Sequence, residues 1–167
     1  MNIKEVEKII ISHINTTWNV NGKRINLGEM GVSWEWSRGK RVFGFAKRSP
    51  HMSISISKPL VMLNIERNPN QIIDTIKHEV AHLLDYVAFG GWGHGITWKA
   101  CCRLTGANPK RCYSANNIIK PEYKYKLVCP ACDYSIGRYR KPRSNNYVCG
   151  VCHKAGRGIN GFKLVAL

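Results

Sequence analysis

Residues 70–88 repeat apolar side chains at helical spacing, yet the same stretch carries a polar face that an interior helix would not tolerate. Ile72, Ile73, Ile76, Val80, Leu83, Leu84 and Val87 form the apolar stripe, while Thr75, His78, His82 and Asp85 stand on another side. Such a helix belongs at the border of a core, with its polar cluster turned to a cleft. His78-Glu79-Val80-Ala81-His82 places two imidazoles at i and i+4, close enough to share one metal ion. Phe89-Gly90-Gly91-Trp92-Gly93 then breaks the helix and turns the chain back, which makes His94 the candidate third ligand. Three imidazoles plus one open position is the layout of a catalytic zinc, whereas a structural zinc has all four positions filled by protein. Glu79 is placed to orient a water, take its proton and later deliver it to a leaving amine. Asp85 reads either as an acceptor behind an imidazole N–H or as a solvent-facing carboxylate. His13, on a first helix, and His51, in a turn, read as surface residues.

Around that helix the signals are short. Ile3, Val6, Ile10 and Ile14 predict an amphipathic helix over 3–17, closed by turn-type residues at 19–22. Alternating stretches at 32–36, 41–47 and 52–57, separated by turns at 37–40 and 48–51, predict a three-stranded antiparallel meander. Pro59 opens a short helical or extended piece to Leu63. Another helix, over 96–105, follows His94, and Asn108-Pro109 ends the domain. The expectation is an α+β domain over 1–112, in which a three-stranded antiparallel sheet packs on helices. A linker spans 113–126, with Tyr113, Tyr123 and Tyr125 among lysines, and a small second domain covers 127–167.

Cys129-Pro-Ala-Cys132 and Cys149-Gly-Val-Cys152 are two C-x-x-C knuckles with 16 residues between them. Four thiolates at this spacing match a structural zinc ribbon in which two hairpin turns clasp a tetrahedral ion. Cys149-Gly-Val-Cys152-His153 also matches a c-type haem attachment sequence, but that reading leaves the first knuckle idle. A redox pair at Cys129 and Cys132 lacks a βαβ setting. Cys101, Cys102 and Cys112 have no partner spacing and read as core or incidental thiols. The cofactors expected are two zinc ions, one catalytic and one structural.

Charge separates the two parts further. Residues 1–109 carry 14 Lys and Arg against 8 acidic residues, but 110–167 carry 12 against 2. A cationic segment of this density attracts polyanions by releasing their counterions. Arg138, Tyr139, Arg140, Lys141 and Arg143 interleave rings and cations, the pattern of a surface that stacks on bases while pairing with phosphates. The alternative is that the tyrosines fill the ribbon's thin core and the cations face water. No apolar run reaches the length of a membrane span. The first residues lack the apolar core of a secretory signal. We therefore expect a cytoplasmic protein, nucleoid-associated, or in the host cytoplasm if phage-encoded, with DNA as partner.

These residues resemble the SprT-like zinc metalloproteases, which include bacterial SprT proteins and the eukaryotic Spartan protease. The likeness runs through Val32-Ser33-Trp34, residues 53–60, the 78–82 pentad, His94-Gly95 with Trp98, and the paired knuckles. It implies a zincin-like fold, with His78, His82 and His94 as zinc ligands and Glu79 as catalytic acid and base. It also implies DNA-dependent cleavage of proteins trapped on DNA, single-stranded or junction DNA included. The competing expectation is a non-proteolytic zinc-containing nucleic-acid-binding protein, and a third is hydrolysis of a small amide.

Overall fold

A computed structural model describes residues 1–110, 117–143, 147–158 and 161–167. The chain folds as two units, Met1–Lys120 and Pro121–Leu167. The boundary falls inside the stretch read as a linker. Cys112 and Tyr113 lie outside the described residues.

In the first unit α1 (Ile3–Asn15) starts at a capping box: the Asn2 side chain accepts from Glu5 N–H, and the Glu5 carboxylate accepts from Asn2 N–H. Val6, Ile10 and Ile14 are its buried face. Next come β1 (Thr17–Val20) and β2 (Lys23–Asn26), an antiparallel hairpin turned by Asn21 and Gly22, both at positive φ. The turn-type residues at 19–22 thus serve a hairpin and not the end of the helix, which stops at Asn15 rather than 17 because Thr17–Val20 is already strand. Asn-Gly between the alternating pairs Trp18/Val20 and Lys23/Ile25 was the local signal.

The main sheet differs from the expected antiparallel meander. Its strands β3 (Ser33–Ser37), β4 (Gly44–Lys47) and β5 (Ser53–Ser57) lie in the order β3-β5-β4, with β3 parallel to β5 and β4 antiparallel to it. The last strand in sequence is the central one, and the cause is visible in β5 itself. Ser55 and Ser57 are buried along with the isoleucines, because their hydroxyls are satisfied internally. Ser55 Oγ donates to Glu35 Oε1 at 2.8 Å, and Ser57 Oγ donates to Gly39 O at 2.6 Å while accepting from Leu60 N–H. Period-two alternation of Ser and Ile therefore reads as a half-exposed strand although both faces are covered. Placing β5 in the middle leaves β4 at an edge.

Ser57 caps α2 (Lys58–Asn64). The 21-residue α3 (Pro69–Phe89) follows and packs against α1, β4 and α4 (Ile96–Thr105). Gly90 and Gly106 end α3 and α4 in the left-handed conformation, each at φ 69°. Ile72, Ile76, Val80, Leu83 and Leu84 enter the core as the stripe required, whereas Ile73 and Val87 are only partly buried. No helix among the described residues is long and apolar enough to cross a membrane.

The second unit is a three-stranded antiparallel sheet in the order β7-β6-β8, made of β6 (Tyr125–Val128), β7 (Ser135–Arg138) and β8 (Lys163–Ala166). A five-residue helix, α5 (Gly150–Lys154), carries the second knuckle. Only the first knuckle lies in a hairpin turn, so the ribbon departs from the expected pair of hairpins. The buried cluster of this unit is Cys129, Cys149 and Cys152, with Cys132 and Phe162 packed against it.

Candidate metal centre

The helical period of α3 brings the His78 and His82 rings to a centroid separation of 4.9 Å. His94 is returned to them by the glycine-rich turn. Gly90 ends the helix, Gly91 sits where a Cβ would run into the Asp85 carboxylate, and Gly93 holds φ 151°. The His94 ring then lies 4.8 Å from His82 and 5.3 Å from His78. One ligand atom from each histidine falls within 4.8 Å of the others. His94 Nε2 and His78 Nε2 are 3.3 Å apart. Two nitrogens on a tetrahedral zinc, each at about 2.0–2.1 Å, would be separated by about 3.4 Å.

The donor set suits a cation in its protonation as well. Burial, reinforced by the neighbouring His94, lowers His78 to about 4. Burial and the charges of His78 and His94 lower His82 to about 3. Both imidazoles are therefore neutral near pH 7 and have lone pairs to offer. His82 Nδ1 is also buried without a hydrogen-bond partner. These residues fit a zinc ion.

Trp98 is a contributor that the spacing of the histidines does not reveal. Fully buried on α4, it lies 4.8 Å from His78, 5.3 Å from His82 in a stacked arrangement, and 4.5 Å from His94. It is the floor on which all three imidazoles rest. Its position four residues after His94 was the available clue.

Glu79 is 6% exposed, and burial raises its carboxyl to about 7, against the opposing pull of a hydrogen bond from the Ala46 backbone. That bond ties the carboxyl to β4. Gly44 permits the approach, since a Cβ there would sit 3.0 Å from Ile56 Cδ1 and Thr75 Cγ2 and 3.2 Å from Glu79 Cγ. The solvent-facing option for Asp85 is excluded, because it is 2% exposed. Its Oδ1 has no hydrogen-bond partner. His13 bonds to the Ile9 carbonyl through Nδ1, and His51 is exposed. The cleft above the histidines, about 570 Å³, is lined by residues 41–46 and by Leu60, Trp92, Ile118 and Lys120, among others.

In the second unit the four knuckle cysteines converge, none of them in a disulfide. Cys129 Sγ lies 3.7 Å from Cys152 Sγ, and Cys132 Sγ lies 3.6 Å from Cys149 Sγ. Four sulfurs about 2.3 Å from a tetrahedral zinc would stand about 3.8 Å apart. Burial raises the Cys129 thiol, but hydrogen bonds from the Ala131 and Cys132 backbones outweigh it and bring it to about 7. Burial and the neighbouring thiols push Cys152 to about 12. Four thiolates cannot coexist here without a cation, so this cluster also fits a metal. Cys101 and Cys102 are core thiols, raised by burial to about 11 and about 12.

Of the residues assigned to nucleic acid, Arg138 on β7 holds its guanidinium 5.5 Å from the Tyr147 ring centroid. Tyr139 packs on Tyr123 at 4.5 Å, and Arg140, Lys141 and Arg143 are exposed or partly so. Tyr123, Tyr134 and Tyr147 are exposed too, whereas Tyr139 is partly buried.

A model of the SprT-like family matches residues 11–117. A "Protein SprT-like" of Oceanobacillus iheyensis is 33% identical over 101 residues, covering 58% of this chain and 66% of the relative. A "Protein SprT-like" of Staphylococcus saprophyticus is 34% identical over 106 residues, covering 58% and 68%. A "Protein SprT" of Glaesserella parasuis is 28% identical over 93 residues, covering 52% and 60%. The chain thus spans about two thirds or less of the length of these curated relatives.

Proposed function

We infer the function from one premise: this chain belongs to the SprT-like family, whose model spans well over half of it. We propose a zinc-dependent endopeptidase with a zincin-like centre, associated with DNA and acting on proteins bound or crosslinked to it. The observation that carries this reading is the position of Glu79, a buried carboxyl next to three convergent imidazoles in an open cleft. His78, His82 and His94 would hold the ion. When bound, zinc supplies a Lewis acid that polarises the scissile carbonyl and makes water nucleophilic near neutral pH. Glu79 takes the proton of the attacking water on its carboxylate and passes it to the leaving amine. An extended peptide can align along β4, an edge strand of the sheet. Trp98 seals the site from below.

The proposal that DNA is the meeting place rests on the cationic second unit. Tyr123 and Tyr147 are exposed rings, the latter with the Arg138 guanidinium over it, suited to unstacked bases and phosphates. Recruitment by DNA raises the effective concentration of a bound protein, so the cleft needs little affinity of its own.

The test compares zinc-loaded wild type with Glu79→Gln on a DNA-bound protein. Cleavage should fall about 10²- to 10⁴-fold at unchanged zinc content, the range that one acid/base group contributes. Equal cleavage by both would remove Glu79 from the mechanism. Salt-dependent DNA binding without proteolysis by the wild type would favour the non-proteolytic binder, for which the cysteine cluster and its basic surface suffice.

A further inference from the structure

One wall of the cleft is built by residues that no motif marks. Asn64, at the end of α2, is fully buried, and its amide is used four times. Its Nδ2 donates to Leu60 O and to Ile119 O, both at 2.8 Å. Its Oδ1 accepts from Ile119 N–H at 2.9 Å and from Asn68 Nδ2 at 3.2 Å. Asn68 Nδ2 donates in turn to Asn117 O at 2.9 Å. Residues 117–120 are thereby strapped onto the first unit by their backbone, which leaves the side chains free for another task. Ile118 and Lys120 line the same cleft as His78, Glu79, His82 and His94.

The chemistry of that wall is specific. Val42, Phe43, Phe45 and Leu60 join Ile118 in an apolar lining, and Arg41 and Lys120 are exposed cations among them. Neither cation is engaged in an ion pair among the described residues. Glu79 is the sole acidic residue lining the cleft among the described residues, and it lies at the metal centre. Unpaired charges of one sign on low-dielectric walls focus their field on whatever enters.

We propose that this cleft selects peptide segments in which an acidic residue lies beside an apolar one, with Ile118 and Lys120 of the strap as selecting residues. The inference rests on the endopeptidase reading and names its substrate class. A carboxylate gains a charge-assisted bond from Lys120 or Arg41, and its neighbour covers Ile118 and Leu60. Nucleic acid is the other polyanion that two free cations attract. A volume of about 570 Å³ with apolar walls is the scale of a peptide or small-ligand site. Asn64 is a positioning residue here, acting through the strap.

The experiment measures binding, so it needs no turnover. Fluorescent decapeptides that differ only in Glu or Lys next to a Leu are titrated by anisotropy into the full zinc-loaded chain carrying Glu79→Gln. The Glu peptide should bind about tenfold more tightly, and Lys120→Glu should shrink that ratio to about threefold or less. Ile118→Ser should weaken the Glu-Leu peptide but not a Glu-Ser counterpart. Because the chain is cationic overall, Lys8→Glu on the exposed side of α1 is the control and should leave the ratio intact. Equal binding of the Glu and Lys peptides overturns the proposal, as does a Lys120→Glu effect no larger than that of Lys8→Glu. So does a single-stranded oligonucleotide that loses as much affinity as the peptide on Lys120→Glu, since the cation would then serve phosphate. If the peptide ratio holds while wild type cuts no protein, the endopeptidase reading fails and the selection stands.

Discussion

The two units gather metal ligands in opposite ways. In the first, three histidines sit at the rim of a core that includes Val6, Ile10, Ile54, Ile76, Leu83 and Trp98, all buried without reference to any ion. In the second, the ligands are the core: three of the four cysteines are fully buried, and little apolar mass surrounds them. An ion in the first place is a guest of a fold that exists already. An ion in the second is what the fold closes around, as in small domains whose metal affinity and folding energy are one quantity. What a cluster of ligands does depends less on the ligands than on what holds them.

The largest expected effect therefore belongs to the second unit. Chelation, or Cys129→Ser, should unfold Pro121–Leu167 and leave Met1–Lys120 folded, since structural zinc contributes roughly 10–16 kcal/mol in small zinc domains. Amide dispersion in a heteronuclear spectrum reads this directly, and dispersed second-unit signals after chelation would break the comparison. Next in size, Trp98→Ala should cost the first unit about 3–5 kcal/mol. Chemical denaturation of the zinc-free chain checks the claim, and a first unit indifferent to Trp98 would mean that its site is not core-supported.

A smaller effect follows from pH. His78 and His82 are lowered to about 4 and about 3, so between pH 6.5 and 4.5 the unfolded chain takes up two protons there that the folded chain refuses. Glu79, raised to about 7, works against them, taking up one proton in the folded state over that window. One proton net favours unfolding, so the zinc-free first unit should lose stability as pH falls through this range. A thermal midpoint that rises on acidification would contradict the neutral histidines. The smallest change is expected on neutralising Arg138, Arg140, Lys141 and Arg143 together, which should flatten the salt dependence of DNA binding by up to about 0.7 per charge. An unchanged slope would move the binding surface elsewhere.

Local periodicity announced the helices, because α3 and α4 carry their own stripe, breakers and caps. It also announced both ligand clusters, because i,i+4 histidines and C-x-x-C turns are local geometry. Sheet order was not legible. Which strand lies in the middle depends on where Ser55 and Ser57 find acceptors, at Glu35 and Gly39, and no period encodes that. The strap was equally hidden, since Asn64 meets Ile119 across 55 residues and a buried asparagine looks like any other in sequence. Trp98 was visible as a residue but not as the floor of a site, because its role exists only once α4 has packed on α3.

The outer border of β4 has one more consequence. An uncovered strand invites a second copy of itself to zip on, which is how many sheet proteins clump. Here that border is four residues long, with Arg41 shortly before it and Arg48 just after Lys47, itself paired with Glu35, so two like molecules would press arginine against arginine. The margin is barred to its own kind and stays open to strangers.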